Sequence, residues 1–176
     1  MSAFTPEQAI FLRQLALPQI KNEHATTKRV IEAIPLDKGD FRPDPVSKTA
    51  LELAWHIVAA EHRFLNGISA GEFDFTAINR PDAVNNPAAI AKWFDNSFND
   101  SMAKIEKLGG EALTKMIDFR GMFQYPAVSY LDFTARHTIH HRGQLSMYLR
   151  PVGARVPSIY GESYDSAQER IAKEKK

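Results

Sequence analysis

Apolar side chains recur at three- and four-residue steps over four long stretches of the chain, each with its own start signal. In the first, residues 6–34, Ile10, Leu12, Leu15, Val30, Ile31 and Ile34 supply the apolar positions. Thr5, Pro6 and Gln8 read as N-cap, first helical residue and closing partner of a capping box. Pro18 lacks an amide hydrogen and crowds the preceding turn, which predicts a kink over residues 14–18. A second helix is expected over 48–68, capped by Ser47, with Leu51, Ala54, Trp55, Val58 and Leu65 on its apolar face. Gly67 and Gly71 bracket its end. Asn86 and Pro87 open a third, in which Ile90, Phe94, Phe98, Met102, Ile105 and Leu108 keep helical spacing until Gly109 and Gly110. Pro126 opens a fourth, which runs to residue 150 ahead of Pro151.

Residues 36–48 hold two prolines, a glycine and several charges and read as a loop, and residues 72–85 read as a looser crossing. Residues 111–125 predict a short helical turn and then an extended piece around DFRGMFQY. A short polar helix from Ser166 closes the chain. This pattern predicts an all-α fold, a four-helix bundle with long crossover connections over residues 1–164, followed by a polar tail over 165–176.

Composition narrows the function classes. The 22 basic and 21 acidic side chains leave a formal charge of +1, against a broad phosphate-binding face and so against nucleic acid as partner. The absence of cysteine removes thiolate ligands, a cysteine nucleophile and a disulfide framework. The N-terminal run lacks the pattern of a secretory leader, and no stretch approaches the length of a membrane span. A cytoplasmic protein without membrane contact is the expectation.

Chemistry concentrates in the histidines. His137 and His141 lie one helical turn apart, which places their Cβ atoms about 5–6 Å from each other on one face. Two imidazoles so placed can reach one metal ion at about 2.0–2.1 Å. His56 falls mid-helix in the apolar run LELAWHIVAA. It reads equally as a buried histidine satisfied by a hydrogen bond and as a third ligand facing the pair across the bundle. His62 points about 240° around the helix from His56 and cannot share its face. His24 has no partner at useful spacing, and a surface position is expected.

The run RHTIHHRGQLSMYLRPVGARVPSIYG resembles the C-terminal signature of the DinB-like (damage-inducible) superfamily of four-helix metalloproteins. FRPDPVSKTALELAWHIVAAEHRFLNGISAG resembles its second-helix segment, and the likeness covers residues 12–163. The resemblance implies a divalent ion, zinc or nickel, held by His56, His137 and His141, none of which is substituted here. It also implies frequent homodimers. Its reactions divide between transfer of a low-molecular-weight thiol to an electrophile, thiol-dependent isomerisation and hydrolysis.

Three neutral imidazoles leave a divalent ion its full charge, and with no cysteine to close the site an open position is expected. Gln144 shares the face of His137 and His141 and reads either as orienting a water or substrate or as an interhelical hydrogen bond. Tyr148 reads as core, and Tyr160 is expected near the open end of the site. Glu52 first, then Glu61, are the expected acceptors for a ligand imidazole's second N–H, with His140 beside them. Gly143 suggests close approach of another helix, and Arg142 pairing with a carboxylate. The leading reading is a metal-dependent enzyme acting on a small molecule through a thiol or water nucleophile, either transferase-like or hydrolase-like. The alternative is a noncatalytic metal-binding stress-response protein.

Overall fold

The computed structural model describes residues 4–175. Four long helices form the body: α1 Pro6–Glu32, α2 Ala50–Ala70, α3 Pro87–Ile105 and, after a short α4 Gly110–Thr114 and a hairpin, α5 Ser129–Leu149. A polar α6, Tyr164–Glu174, follows. The principal packing pairs are α1 with α3 and α5, and α2 with α3 and α5. The helices therefore close a ring in the order α1, α3, α2, α5, in which α1 and α2 sit diagonally. That placement requires the long connection over residues 33–49.

Each start signal has a physical partner. The Thr5 hydroxyl accepts the Gln8 amide while Gln8 Oε1 accepts the Thr5 amide. α1 continues through Pro18, whose ring is exposed. The cap of α2 is Thr49 rather than Ser47: Thr49 Oγ1 accepts the Glu52 amide and Glu52 Oε2 accepts the Thr49 amide at 2.7 Å. Ser47 instead donates to Asp44. Leu15, expected on the apolar face of α1, is 51% exposed.

Pro126 does not open the last helix. It ends β2 Phe123–Pro126, paired antiparallel with β1 Met116–Phe119, and α5 begins three residues later. Backbone bonding carries on past the hairpin, from Ala127 N to Lys115 O and from Val128 N to Leu113 O, which ties the start of α5 to the segment before the hairpin. Residues 120–122 make the turn: Arg120 and Gly121 have φ of 56° and 69°, and the Met122 amide donates to Phe119 O at 3.0 Å.

The core has two apolar layers with a polar layer between them. Leu17, Ile20, Leu65, Phe98, Met102 and Leu131 belong to one cluster, and Val30, Ile31, Ile57, Phe94, Leu145 and Leu149 to the other. Each long helix places polar side chains between the two sets, and among these His24, Glu61, Asp95 and Thr138 are joined by hydrogen bonds. His24 shares its ring nitrogens with Glu61 Oε1 at 2.9 Å and Asp95 Oδ1 at 3.0 Å, while Thr138 Oγ1 donates to Glu61 Oε2 at 3.1 Å. His24 is therefore buried, 6% exposed and stacked on Phe98, not at the surface.

Beyond α5, Arg150 pairs with Asp165, whose carboxylate also accepts the Val156 amide, so α6 is fastened to the end of α5. Among the described residues no helix is long and apolar enough to cross a membrane.

Candidate metal centre

α2 packs against α5, which carries His56 toward His137 and His141. One nitrogen from each of the three rings lies within 4.8 Å of the others. His56 Nε2 and His141 Nε2 are 3.1 Å apart, and the His137 ring centroid lies 5.2 Å from that of His56 and 4.5 Å from that of His141. Two nitrogen donors on one ion, each at about 2.0–2.1 Å, are separated by at most about 4 Å, so the His56–His141 spacing suits a shared cation.

The surroundings keep the rings neutral. Burial, then the neighbouring His141, pushes the His56 imidazole down to about 4. Burial, then His141 and His56, takes His137 to about 4 as well. Phe64 stands edge-on to His137 and belongs to an aromatic cluster with Phe73, Phe119 and Phe133, a wall that offers a charged ring no solvation. His141 is also lowered by burial, against an opposing hydrogen bond that it donates to Gln144. Neutral imidazoles are the form that coordinates a metal.

The fit of a divalent ion rests on two further observations. His137 Nδ1 is buried and has no hydrogen-bond partner, so this ring spends little of its polar capacity on the protein. Gln144 Oε1 accepts from His141 Nδ1 at 2.7 Å, which assigns the proton to Nδ1 and leaves the Nε2 lone pair facing His56. The donor set of three imidazole nitrogens suits a divalent transition metal such as zinc, copper, iron or nickel.

Two cavities adjoin the cluster. One of about 650 Å³ is lined by His56 together with Trp55, Glu52 and several basic residues. Another of about 660 Å³ meets His141 and Gln144 and is walled by Phe41, Leu53, Met147 and Tyr148. Ser47 and Lys48 line both.

Other expected positions fall elsewhere. The Glu52 carboxylate accepts the Thr49 amide and makes no hydrogen bond to His56, although both line the first cavity. The signal was present in the sequence, since Thr49 stands three residues before Glu52 and the pair forms a capping box. Glu61 turns to His24 and Thr138. His140 is exposed, with its ring 4.8 Å from that of His141. The Tyr160 hydroxyl accepts from Arg142 Nη2 at 2.7 Å and donates to Glu23 Oε2 at 2.9 Å, which holds it on Arg142 and away from both cavities. Arg142 is buried and pairs with Glu23, as its position suggested. Gly143 is exposed, and a Cβ there would meet nothing within 4 Å, so no helix approaches it.

Comparison with known proteins agrees with this architecture. The DinB family model matches residues 8–175. YjoA of Bacillus subtilis is 28% identical over 129 residues, covering 72% of this chain and 82% of that protein. The crystal structure of a DinB-like protein from Bacillus cereus superposes with a TM-score of 0.70 at 24% identity, over 82% of this chain and 95% of that one. A mutant of the mycothiol-dependent maleylpyruvate isomerase shares the fold more distantly, with a TM-score of 0.52 at 14% identity, over 89% of this chain and 66% of its own.

Proposed function

The chain belongs to the DinB family, and from that premise we propose that it is a metal-dependent enzyme whose three histidines hold a divalent ion beside a small-molecule pocket. The observation that carries this reading is the convergence of His56, from α2, on His137 and His141, from α5. A zinc or nickel ion held there supplies a Lewis acid that keeps a thiol or a water as its anion near neutral pH.

The protein's own residues perform the rest. Gln144 holds His141 in the tautomer whose Nε2 is free to coordinate. The aromatic wall around Phe64 keeps water from His137. Phe41, Leu53, Met147 and Tyr148 offer an apolar surface against which the body of a substrate packs, next to His141. Thiol chemistry is favoured over hydrolysis on one ground: a distant structural neighbour is a thiol-dependent isomerase.

Cobalt-substituted protein titrated with 2-mercaptoethanol tests this reading. A sulfur-to-metal charge-transfer band in the near ultraviolet that is absent from His137→Ala supports it. Stoichiometric metal with no spectral response to thiol, and no thiol-dependent turnover, would leave the metal as a structural element of the bundle.

A further inference from the structure

Eight of the eleven arginines donate a hydrogen bond or an ion pair to the protein, and Arg120 stacks over Phe75. The two that remain are Arg42 and Arg80, and both line the cavity that reaches His56. Lys48, on the same wall, has no ion-pair partner among the described residues either. Arg63 completes a set of four cations, against the single carboxylate of Glu52. In a chain with a formal charge of only +1, this concentration is local.

Both arginines are carried on loops held in place beside them. Arg42 follows Phe41, whose carbonyl accepts the Ala50 amide at 2.8 Å. Arg80 follows a segment secured twice to α2: Trp55 Nε1 donates to Ile78 O at 3.0 Å, and Arg63 Nη2 donates to Thr76 O at 2.8 Å. The cations are thus presented from anchored backbone, and Arg42 and Arg80 donate no hydrogen bond among the described residues, although Arg42 and Lys48 act on the Glu52 carboxylate through charge. Backbone amides at the start of α2 do not add to the site, because those of Ala50, Leu51 and Glu52 are bonded to Phe41 O, Gly39 O and Thr49 Oγ1. The available donors are two planar guanidinium forks and one ammonium, a set that matches the paired oxygens of carboxylates and of phosphates.

We infer that this cavity is the anion subsite of the centre, and that the substrate is a small organic acid with at least two negative charges, gripped through carboxylate by Arg42, Arg80 and Lys48. The inference rests on the proposed function and names its substrate class. An apolar portion of the same molecule reaches the second cavity past Ser47 and Lys48, which are common to both.

Titration of metal-free and zinc-loaded protein with succinate, followed by the ¹⁵N resonances of the Trp55 indole and the Ile78 amide, tests this. Saturable shifts are expected that weaken at least tenfold in Arg42→Gln/Arg80→Gln, weaken in 0.5 M sodium chloride, and are absent with dimethyl succinate. Both arginines are exposed loop residues, so the variant folds, and its zinc affinity should match that of the parent. No saturable shift, or succinate affinity unchanged in the double variant, overturns the subsite. Inorganic phosphate binding tenfold tighter than succinate overturns its assignment to carboxylate. Succinate binding in a protein that takes up no zinc sustains the subsite and overturns the proposed function instead.

Discussion

The Nε2 atoms of His56 and His141 face each other at 3.1 Å across the α2–α5 interface, and Gln144 supplies the reason that one of them presents a lone pair. Two neutral imidazoles can satisfy that contact with one proton between them, or with a cation that both share. A nitrogen of His137 within 4.8 Å of both makes a third donor to such a cation.

Removal of either contributor should therefore be read in metal content. His56→Ala and His137→Ala are each expected to weaken zinc affinity by at least about tenfold, no less than the loss of an outer partner costs. Competition with a chromophoric chelator measures it. Full stoichiometry at unchanged affinity in either variant would detach that histidine from the site.

Gln144 is separable from the ligands. Gln144→Ala removes the acceptor for His141 Nδ1 and should weaken metal binding by about 10–100-fold with little change in melting temperature, because the side chain is exposed. Gln144→Glu restores an acceptor and should recover most of the loss. Equal affinity in all three proteins would mean that the hydrogen bond does not set the tautomer.

The pH dependence follows from the direction of the histidine shifts. His56 and His137 are lowered from 6.5 to about 4, so between those values the unfolded chain binds protons that the folded chain refuses. Stability of the metal-free protein is then fully present above about pH 6.5 and falls as the pH drops toward 4. Metal should likewise stay bound through pH 6 and leave below about pH 5, later than histidines of ordinary pKa would release it. Denaturant melts and chelator competition across pH 4–8 check both, and release centred near pH 6.5 would show that burial does not depress these rings.

The bundle was legible in the sequence because its signals are local. Thr5 with Gln8, and Asn86 with Pro87, mark helix starts within a few residues of themselves, and the apolar steps on α2 and α3 follow one helical period. The pair His137 and His141 is local in the same sense, while His56 needed the resemblance to join it. What escaped were contacts between residues distant in the chain. Nothing near His24 announces Glu61 or Asp95, which reach it from two other helices, so its burial could not be read from spacing. The loop that carries Tyr160 leaves the ligand helix, which points to the site, but the pull of Arg142 and Glu23 decides its position. Glu52 and Ser47 go together, since a cap at Ser47 would leave the Glu52 carboxylate free, whereas the Thr49 cap engages it.

The polar layer gives a prediction confined to stability. Glu61 is 3% exposed and accepts from both His24 and Thr138, so Glu61→Ala leaves two buried polar groups without their partner. A loss of about 3–5 kcal/mol is expected, as for one member of a buried pair. Glu61→Gln keeps an acceptor and should lose less. Urea denaturation measures both, and zinc affinity should not move, because Glu61 bonds none of the three site histidines.

Two glycines should respond to alanine with opposite signs. At Gly110 the new Cβ would sit 2.5 Å from the Pro6 carbonyl oxygen and 2.7 Å from its carbonyl carbon. Those are backbone atoms at the first position of α1, which Thr5 and Gln8 hold in a capping box, so they cannot give way as the end of a side chain would. Gly110→Ala should destabilise by about 1–3 kcal/mol, the range for overpacking, as α4 is pushed off α1. At Gly143 the Cβ meets nothing within 4 Å, the position is exposed, and α5 runs through it from Ser129 to Leu149. Gly143→Ala there gains helix propensity without a clash and should stabilise by about 0.5–1 kcal/mol. Thermal melts of the two metal-free variants decide it: a stabilised Gly110→Ala would mean that α4 does not bear on Pro6, and a destabilised Gly143→Ala would mean that a partner outside the chain comes close to α5 at that turn.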